Sequence, residues 1–402
     1  MVSTSRQERT DRPLSGVKVL DFTRVLSGPY CTALLADLGA DVVKVESLSG
    51  DEYRQVGPFR DGESALFQLV NRNKESIKLD LKLPADQLLV QRLAAKADVV
   101  VENFRPGVAD RLCIGYSTLA ESNSRLIYAS ISGFGQSGPN RELPAFDLVA
   151  QAMSGLMAMT GEYDGPPMRV GESIGDLATG LFCSWGILAA LYERSRTGCG
   201  RHIDVGMVDS LIALMPTAVA QWMFGTSKPI RTGNRHPLST PFSAYAAQGG
   251  FLVICVLTSV QFAQLMTCIG HPELARDPRY ASDEQRTQHE AQLSVLIEEW
   301  LSHYTVDDAV RLLREVGVPA SRVEEAADVF SGSHVRERAL ISVTKHPTLG
   351  TIAAMEQPVC FEGLVRGEQR AAPALDQHRY QVLERWLGDG WRGSSPDGEE
   401  RS

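Results

Sequence analysis

Cysteines and histidines at chemically useful spacings are missing from this 402-residue sequence. The seven cysteines (Cys31, Cys113, Cys183, Cys199, Cys255, Cys268, Cys360) are scattered, odd in number and never in a CxxC pair. That argues against a disulfide framework or a zinc knuckle and fits a reducing cytoplasm. The histidines form no HxxxH pair, so no metal site is expected. Met1 to Arg12 is polar, carries three arginines and lacks the apolar centre of a secretory signal. The longest apolar stretch, 211–224, is interrupted by Pro216, Thr217 and Gln221. It is too short to span a bilayer and is expected to be a buried helix. Positive charge is not in excess: 40 Lys and Arg face 49 Asp and Glu, a net −9, which excludes a general nucleic-acid binder. No internal repeat and no Ser–His–Asp arrangement is visible.

The acidity is uneven. Residues 1–115 hold 16 cations and 16 anions, so the deficit lies wholly beyond them. A local site for a small polyanion in the first third is therefore compatible with the acidic whole.

Apolar β-type runs at 17–22, 41–46, 76–80, 98–102 and 126–132 alternate with helical patterns at 28–38 and 84–96. Such alternation predicts a parallel sheet covered on both faces. Residues 177–194 read as a long, almost wholly apolar helix, 203–207 as a short strand and 229–241 as a linker. Beyond it, a strand at 251–255 and amphipathic helices at 262–269, 293–304 and 306–316 predict a smaller α+β domain. Sequence of β type returns at 346–361, and a last helix is expected at 376–387.

Gly133 to Gly138 matches GxGxxG, but Pro139-Asn140-Arg141 follows where a dinucleotide site needs a helix, so a plain glycine loop is favoured. The segment 72–82 carries four cations and two anions. It reads either as a solvated edge or as a phosphate-contacting strip. Asn103 to Arg105 follow a strand end, where ligands bind in open α/β sheets, though Asn103 also suits a turn. Asp176 is a lone acid in front of an apolar helix among Gly175, Ala178 and Gly180. It reads as an N-cap or as an ionised, accessible carboxylate nucleophile.

Several ordered motifs together carry a resemblance. They are 13–29 (PLSGVKVLDFTRVLSGP), LADLGADVVKVE (35–46), NRNKESIKLDLK (71–82), VENFRPG (101–107), SISGFGQSGP (130–139), GDLATGL (175–181) and GNRHP (233–237). In these the chain resembles the class III CoA-transferases, the CaiB/BaiF family, and within it the succinyl-CoA:dicarboxylate branch. The resemblance implies an α/β fold: a large Rossmann-like parallel-sheet domain made from both chain ends (14–225 and 339–387), a smaller α+β domain with its linker (226–338), and flexible tails (1–13 and 388–402). It also implies an interlocked homodimer in the cytoplasm.

It implies an activity as well: transfer of CoA from a donor thioester, succinyl-CoA among the candidates, to a carboxylic acid through an aspartyl anhydride and an aspartyl-CoA thioester. Coenzyme A enters as substrate, and no metal, membrane or nucleic acid takes part. Asp176 falls on the family's catalytic aspartate. Leu26, Ser27, Leu79, Asp80, Leu81, Lys82, Asn103, Phe104, Arg105, Arg111, Phe146 and Asp147 fall on its CoA-contacting positions. Arg24, Arg235 and His236 are candidates for a second carboxylate of the acceptor.

The chain also departs from the formyl-CoA/oxalate branch. Leu26 stands for Gln, Phe146 for Tyr and Ser47 for a CoA-reaching Arg, and that branch's glycine-rich loop is absent. These departures argue against oxalate as acceptor. The related α-methylacyl-CoA racemases use a His where this chain has Phe146, which cannot move a proton. A racemase, or a non-catalytic CoA-binding protein, is the alternative reading.

Overall fold

The computed structural model describes residues 12–225, 228–364, 369–388 and 391. They form two compact units. The first comprises the described residues up to 156, 169–220 and those from 333 onward; the second comprises 157–168 and the described residues of 221–332.

The first unit begins with β1 (Lys18–Asp21), α1 (Ser27–Asp37), β2 (Asp41–Glu46), β3 (Glu75–Lys78), α2 (Pro84–Ala94) and β4 (Val99–Glu102). It continues through α3 (Val108–Arg111), β5 (Ile127–Ser132), α4 (Asp147–Ser154), α5 (Ile174–Thr197) and β6 (Arg201–Gly206). The six strands pair in the order β3–β2–β1–β4–β5–β6, all parallel. β1, β4 and β5 are apolar on both faces because helices cover both. On one face Val19, Val99 and Ile127 meet Cys31 and Leu35 of α1 and Cys183 and Ile187 of α5. On the other, Leu20, Val43 and Val100 meet Val90 and Leu93 of α2. The strand order reverses between β1 and β4, and that switch point opens a crevice at the strands' carboxyl ends.

α5 is long and apolar enough, by length and composition, to cross a membrane. Its Cys183–Ile187–Ala190 stripe is nevertheless packed in the sheet's core. It lies so close to α1 that a Cβ on Gly180 would sit 2.6 Å from the Ser27 carbonyl oxygen. Glycine is what lets these two backbones approach.

The 211–224 stretch is not one buried helix. It belongs to α6 (Met207–Ala213) and α7 (Pro216–Phe224), bent by 70° at the break. Pro216 starts α7 because its ring can neither donate to nor fit inside a continuous helix. Trp222 and Phe224 are exposed, at 77% and 85%. The loop 133–138 is followed by no helix until α4, so it is not a dinucleotide fingerprint.

In the second unit β7 (Phe242–Ala247) and β8 (Gly250–Cys255) form an antiparallel hairpin. It packs with α8 (Ser259–Cys268), α9 (Glu290–Leu301) and α10 (Val306–Glu315) around Leu252, Phe262, Leu293 and Leu313. Thr305 caps α10, accepting the Asp308 N–H at 3.2 Å. β9 (Ala320–Arg322) completes the three-stranded sheet.

The chain then returns to the first unit as the hairpin β10 (Ile341–His346) and β11 (Gly350–Met355), followed by α11 (Arg379–Leu387). Asp376 accepts the Lys78 N–H at 2.7 Å, and Val382, Leu383 and Trp386 join the core beside β3. The large unit is thus built from both chain ends, as the resemblance implied. Apart from Arg12, Pro13, Gly388 and Trp391, the expected tails lie outside the described residues.

The α1–α5 contact generates a prediction. Gly180→Ala forces the helices apart and lowers stability by about 1–3 kcal/mol. Denaturant unfolding measures this, and an unchanged midpoint would show that the contact yields freely.

Candidate functional site

The turn after β1 is built on buried charge. Asp21 is wholly buried and accepts from the Thr23 N–H (2.9 Å), the Thr23 and Thr32 hydroxyls (2.5 and 2.7 Å) and the Lys74 ammonium (3.1 Å). Burial works against its charge, but Lys74, Lys44 and the two hydroxyls outweigh it and hold the carboxyl below its ordinary range. Lys44, also fully buried, donates to the Thr23 carbonyl at 2.7 Å and pairs with Asp51 at 2.8 Å. Asp51 in turn accepts the Val25 N–H (3.0 Å) and the Tyr53 N–H (2.9 Å). Asn103, after β4, clasps Arg24 through both its backbone groups, at 3.0 and 2.8 Å. Between these clamps Val25 is held at φ +68°, a region costly for a β-branched residue. The strained turn delivers Ser27 as the first residue of α1.

Asp176 meets it there. Ser173 is the N-cap residue of α5 and Asp176 the third helical residue, so the acid is not the cap its sequence position implied. Asp176 and Ser27, the first residue of α1, line the same cavity, and the donors of Ser27 favour the charged form of the Asp176 carboxyl. These donors do not hold it at an ordinary carboxylate value, as the sequence led us to expect. Burial, then the charge of Asp147, push its pKa up to about 7 against the pull of Ser27. Asp147 itself is buried and spent on the Gly175 N–H and the Gln151 amide, both at 2.7 Å.

Two cavities open along this crevice. The first, about 380 Å³, is walled by Asp176, Ser27, Arg24, Asn103, Arg105 and Phe146, with Tyr53, Val25, Val56, Ile131, Ala145 and Met207 as further lining. The second, about 580 Å³, is walled by Leu79, Asp80, Leu81, Lys82 and Phe104 together with the 44–52 segment, including Ser47. Arg24 and Glu52, an ion pair at 2.5 Å, belong to both walls. The Asp80 carboxylate accepts the Lys82 N–H at 3.0 Å, a tight turn that leaves the Lys82 side chain exposed.

Most sequence-selected residues are thus brought together, with exceptions. Leu26 (at the α1 N-cap), Arg111 (at the end of α3) and Asp147 line neither cavity. Arg235 and His236 belong to the second unit. There Arg235 faces Glu290 at 3.9 Å, and His236 packs on Phe242 and accepts the Leu238 N–H. The cationic strip at 72–82 dissolves on inspection. Arg72 is buried on Asp37 and Lys74 on Asp21, leaving Lys82 to face the cavity.

Sequence reasoning missed Tyr53 and Glu52. It also missed Glu102, whose carboxyl burial lifts to about 7. The sequence reading finds no Gly-x-Ser-x-Gly, yet Gly171 to Gly175 matches it literally. Its Ser173 follows no strand and serves as an N-cap position, so it is not a nucleophile elbow.

A carboxylate thus lines a cavity beside the switch point of an open parallel α/β sheet, where ligands of such folds bind. The sequence profile of CoA-transferase family III matches residues 14–379. The acetyl-CoA:oxalate CoA-transferase of Acetobacter aceti is 41% identical over 91% of this chain and 93% of its own length. The succinyl-CoA–D-citramalate CoA-transferase of Chloroflexus aurantiacus is 38% identical over 95% and 96%. A crystal structure of a CaiB/BaiF family protein from Brucella suis superposes with TM-score 0.81 at 35% identity, covering 94% of this chain and all of that one. The chain belongs to CoA-transferase family III and is a CoA-transferase.

The buried clamp yields a prediction. Lys44→Met leaves Asp51 without its cation and costs about 3–5 kcal/mol. Thermal melting reads the loss, and a variant as stable as wild type would show that Asp51 relaxes to water.

Proposed function

We propose that this enzyme moves CoA from an acyl-CoA donor to a small carboxylic acid with Asp176 as the nucleophile. The observation that carries this reading is the Asp176 carboxylate, walled together with Ser27 into the cavity that shares Arg24 with the Leu79–Lys82 cavity. The larger cavity takes the CoA moiety, with Lys82 facing its phosphates, and the smaller takes the thioester.

One Asp176 oxygen attacks the donor carbonyl carbon. The C–S bond breaks, leaving a mixed anhydride and CoA thiolate. The thiolate then attacks the Asp176 carbonyl and expels the donor acid, which carries that oxygen away. The acceptor carboxylate attacks the resulting aspartyl-CoA thioester, releasing thiolate again. That thiolate cleaves the second anhydride at the acceptor's carbonyl and regenerates Asp176. No proton is consumed, and thioester energy is conserved throughout. Ser27, which lines the same cavity, supplies donors for the oxyanion that forms on Asp176 itself. Apolar walls, Val25, Val56, Ile131 and Met207, keep water from the anhydrides.

The relatives are named for oxalate and D-citramalate as acceptors, so oxalate, doubted from the sequence, belongs in the acceptor panel beside larger dicarboxylates. Arg24 and Arg105 are the cations lining the Asp176 cavity, suited to a second carboxylate of the acceptor.

Asp176→Asn abolishes transfer while CoA still binds, and mass spectrometry of succinyl-CoA or acetyl-CoA with a carboxylate panel measures this. Retained turnover would remove Asp176 from the chemistry. The reactive form is the carboxylate, so kcat/KM for the donor falls about tenfold per pH unit below about 7. Asp147→Asn removes a like charge and moves that midpoint down. A midpoint that stays in place belongs to another group.

Stability carries the opposite sign. A carboxyl whose pKa is raised on folding favours the fold below its unfolded value of 3.8 and loses that contribution as pH rises through about 7. At pH 8, therefore, Asp176→Asn melts above wild type, and the gap closes towards pH 4. Equal melting at both pH values would show that Asp176 ionises normally.

α5 also exposes Leu181, Trp185, Leu188 and Tyr192 along one stripe, an apolar surface that fits a second copy of the chain. Light scattering is expected to report a homodimer, and Trp185→Glu to weaken it. A monomeric wild type would refute this.

A further inference from the structure

The proposed reaction forms oxyanions at two different carbons, one on Asp176 and one on the acyl group. When Asp176 attacks, negative charge develops on the oxygen of the donor acyl group. A donor there has to lie in the wall of the same cavity and be free to turn to the substrate.

Tyr53 meets these requirements. It lines the cavity with Asp176 and Ser27. It is the second residue of the short 3-10 turn Glu52–Gln55, and its N–H is fixed by Asp51, the same carboxylate that holds Val25 and pairs with Lys44. Its position is therefore tied to the strained turn that places Ser27. Its hydroxyl has no hydrogen-bond partner among the described residues, whereas the cavity's Asn103 is spent on Arg24. Burial, then the charges of Asp176, Asp51, Asp147 and Glu172, push the phenol up to about 12. It keeps its proton throughout the working range, as a donor must.

We propose that the Tyr53 hydroxyl is a catalytic hydrogen-bond donor to the acyl oxygen of the bound thioester, stabilising the oxyanion formed as Asp176 attacks; this rests on the reading of Asp176 as nucleophile. The Asp176 oxygen–carbon bond forms, and the carbonyl π pair moves to oxygen and is held by the phenol O–H. The pair then returns as the C–S bond breaks and thiolate leaves. The phenol donates a hydrogen bond and gives up no proton.

Tyr53→Phe deletes this donor and keeps the ring. In rapid-quench mixing with donor acyl-CoA and no acceptor, the CoA adduct of Asp176, read by intact mass and hydroxylamine trapping, is expected to form about 100-fold more slowly. CoA affinity and melting temperature stay at wild-type values. Adduct formation at the wild-type rate overturns the proposal. So does a variant slowed only through a raised KM for the acceptor, which would assign Tyr53 to acceptor binding. Fluorinated tyrosines at position 53, which keep the shape, supply a second test if Phe disturbs folding: the rate should change steadily with phenol acidity, and a flat series refutes the role. A wild-type enzyme that forms no adduct at all removes Asp176 as nucleophile, a failure distinct from that of Tyr53 alone.

Discussion

Two ammonium groups shut off from water, Lys44 and Lys74, are the constraint on which the site depends. Removing a charge from water costs several kcal/mol, and pairing returns that only when every polar group is satisfied. Here the arrangement is nearly closed. Asp21 collects four donors, and Lys44 joins a backbone carbonyl to Asp51. Such a network adds little net stability over an apolar core, so its value is positional. It fixes Thr23, Val25 and Tyr53 at once, and with Asn103 it forces the chain through a left-handed valine into α1. A looser turn would let Val25 relax, and the Ser27 donors would drift from Asp176.

The same tightness shapes the electrostatics of Asp176. Water could stabilise its charge cheaply, but water would also hydrolyse an anhydride. Burial, then the neighbouring Asp147, outweigh the donors of Ser27 and raise the Asp176 carboxyl. In the reaction proposed above, a raised carboxyl is a more basic nucleophile once ionised, and ionising it inside the fold costs stability.

Much of the fold was legible because strand and helix periods differ. Apolar runs separated by helical patterns at 28–38 and 84–96 leave few arrangements besides a parallel sheet. Asp176 stood out as the sole acid ahead of an apolar helix. Its helical position was not legible, because capping depends on the backbone at Ser173. The cationic segment misled for a related reason: Arg72 and Lys74 find their carboxylates on Asp37 and Asp21, 35 and 53 residues away. Local charge patterns carry no record of such partners. The 211–224 stretch misled because apolar composition does not distinguish a core from an uncovered face. Tyr53 was hidden within Asp51-Glu52-Tyr53-Arg54, which reads as a polar loop. Its signal was the Asp two residues earlier, able to close a turn on the Tyr53 N–H.

The chemistry also accounts for the choice of elements. The reaction proposed above needs a dry cavity and donors aimed at two successive oxyanions. Close α1–α5 packing through Gly180 brings the first turn of α1, with Ser27, against α5. Val25, Ile131 and Met207 supply apolar wall to the cavity that Asp176 shares with Arg24, Asn103 and Arg105, while Lys82 lies in the adjoining cavity. The two cavities join at the Arg24–Glu52 pair. That pair is half-exposed, so an incoming anion can compete with Glu52 for Arg24.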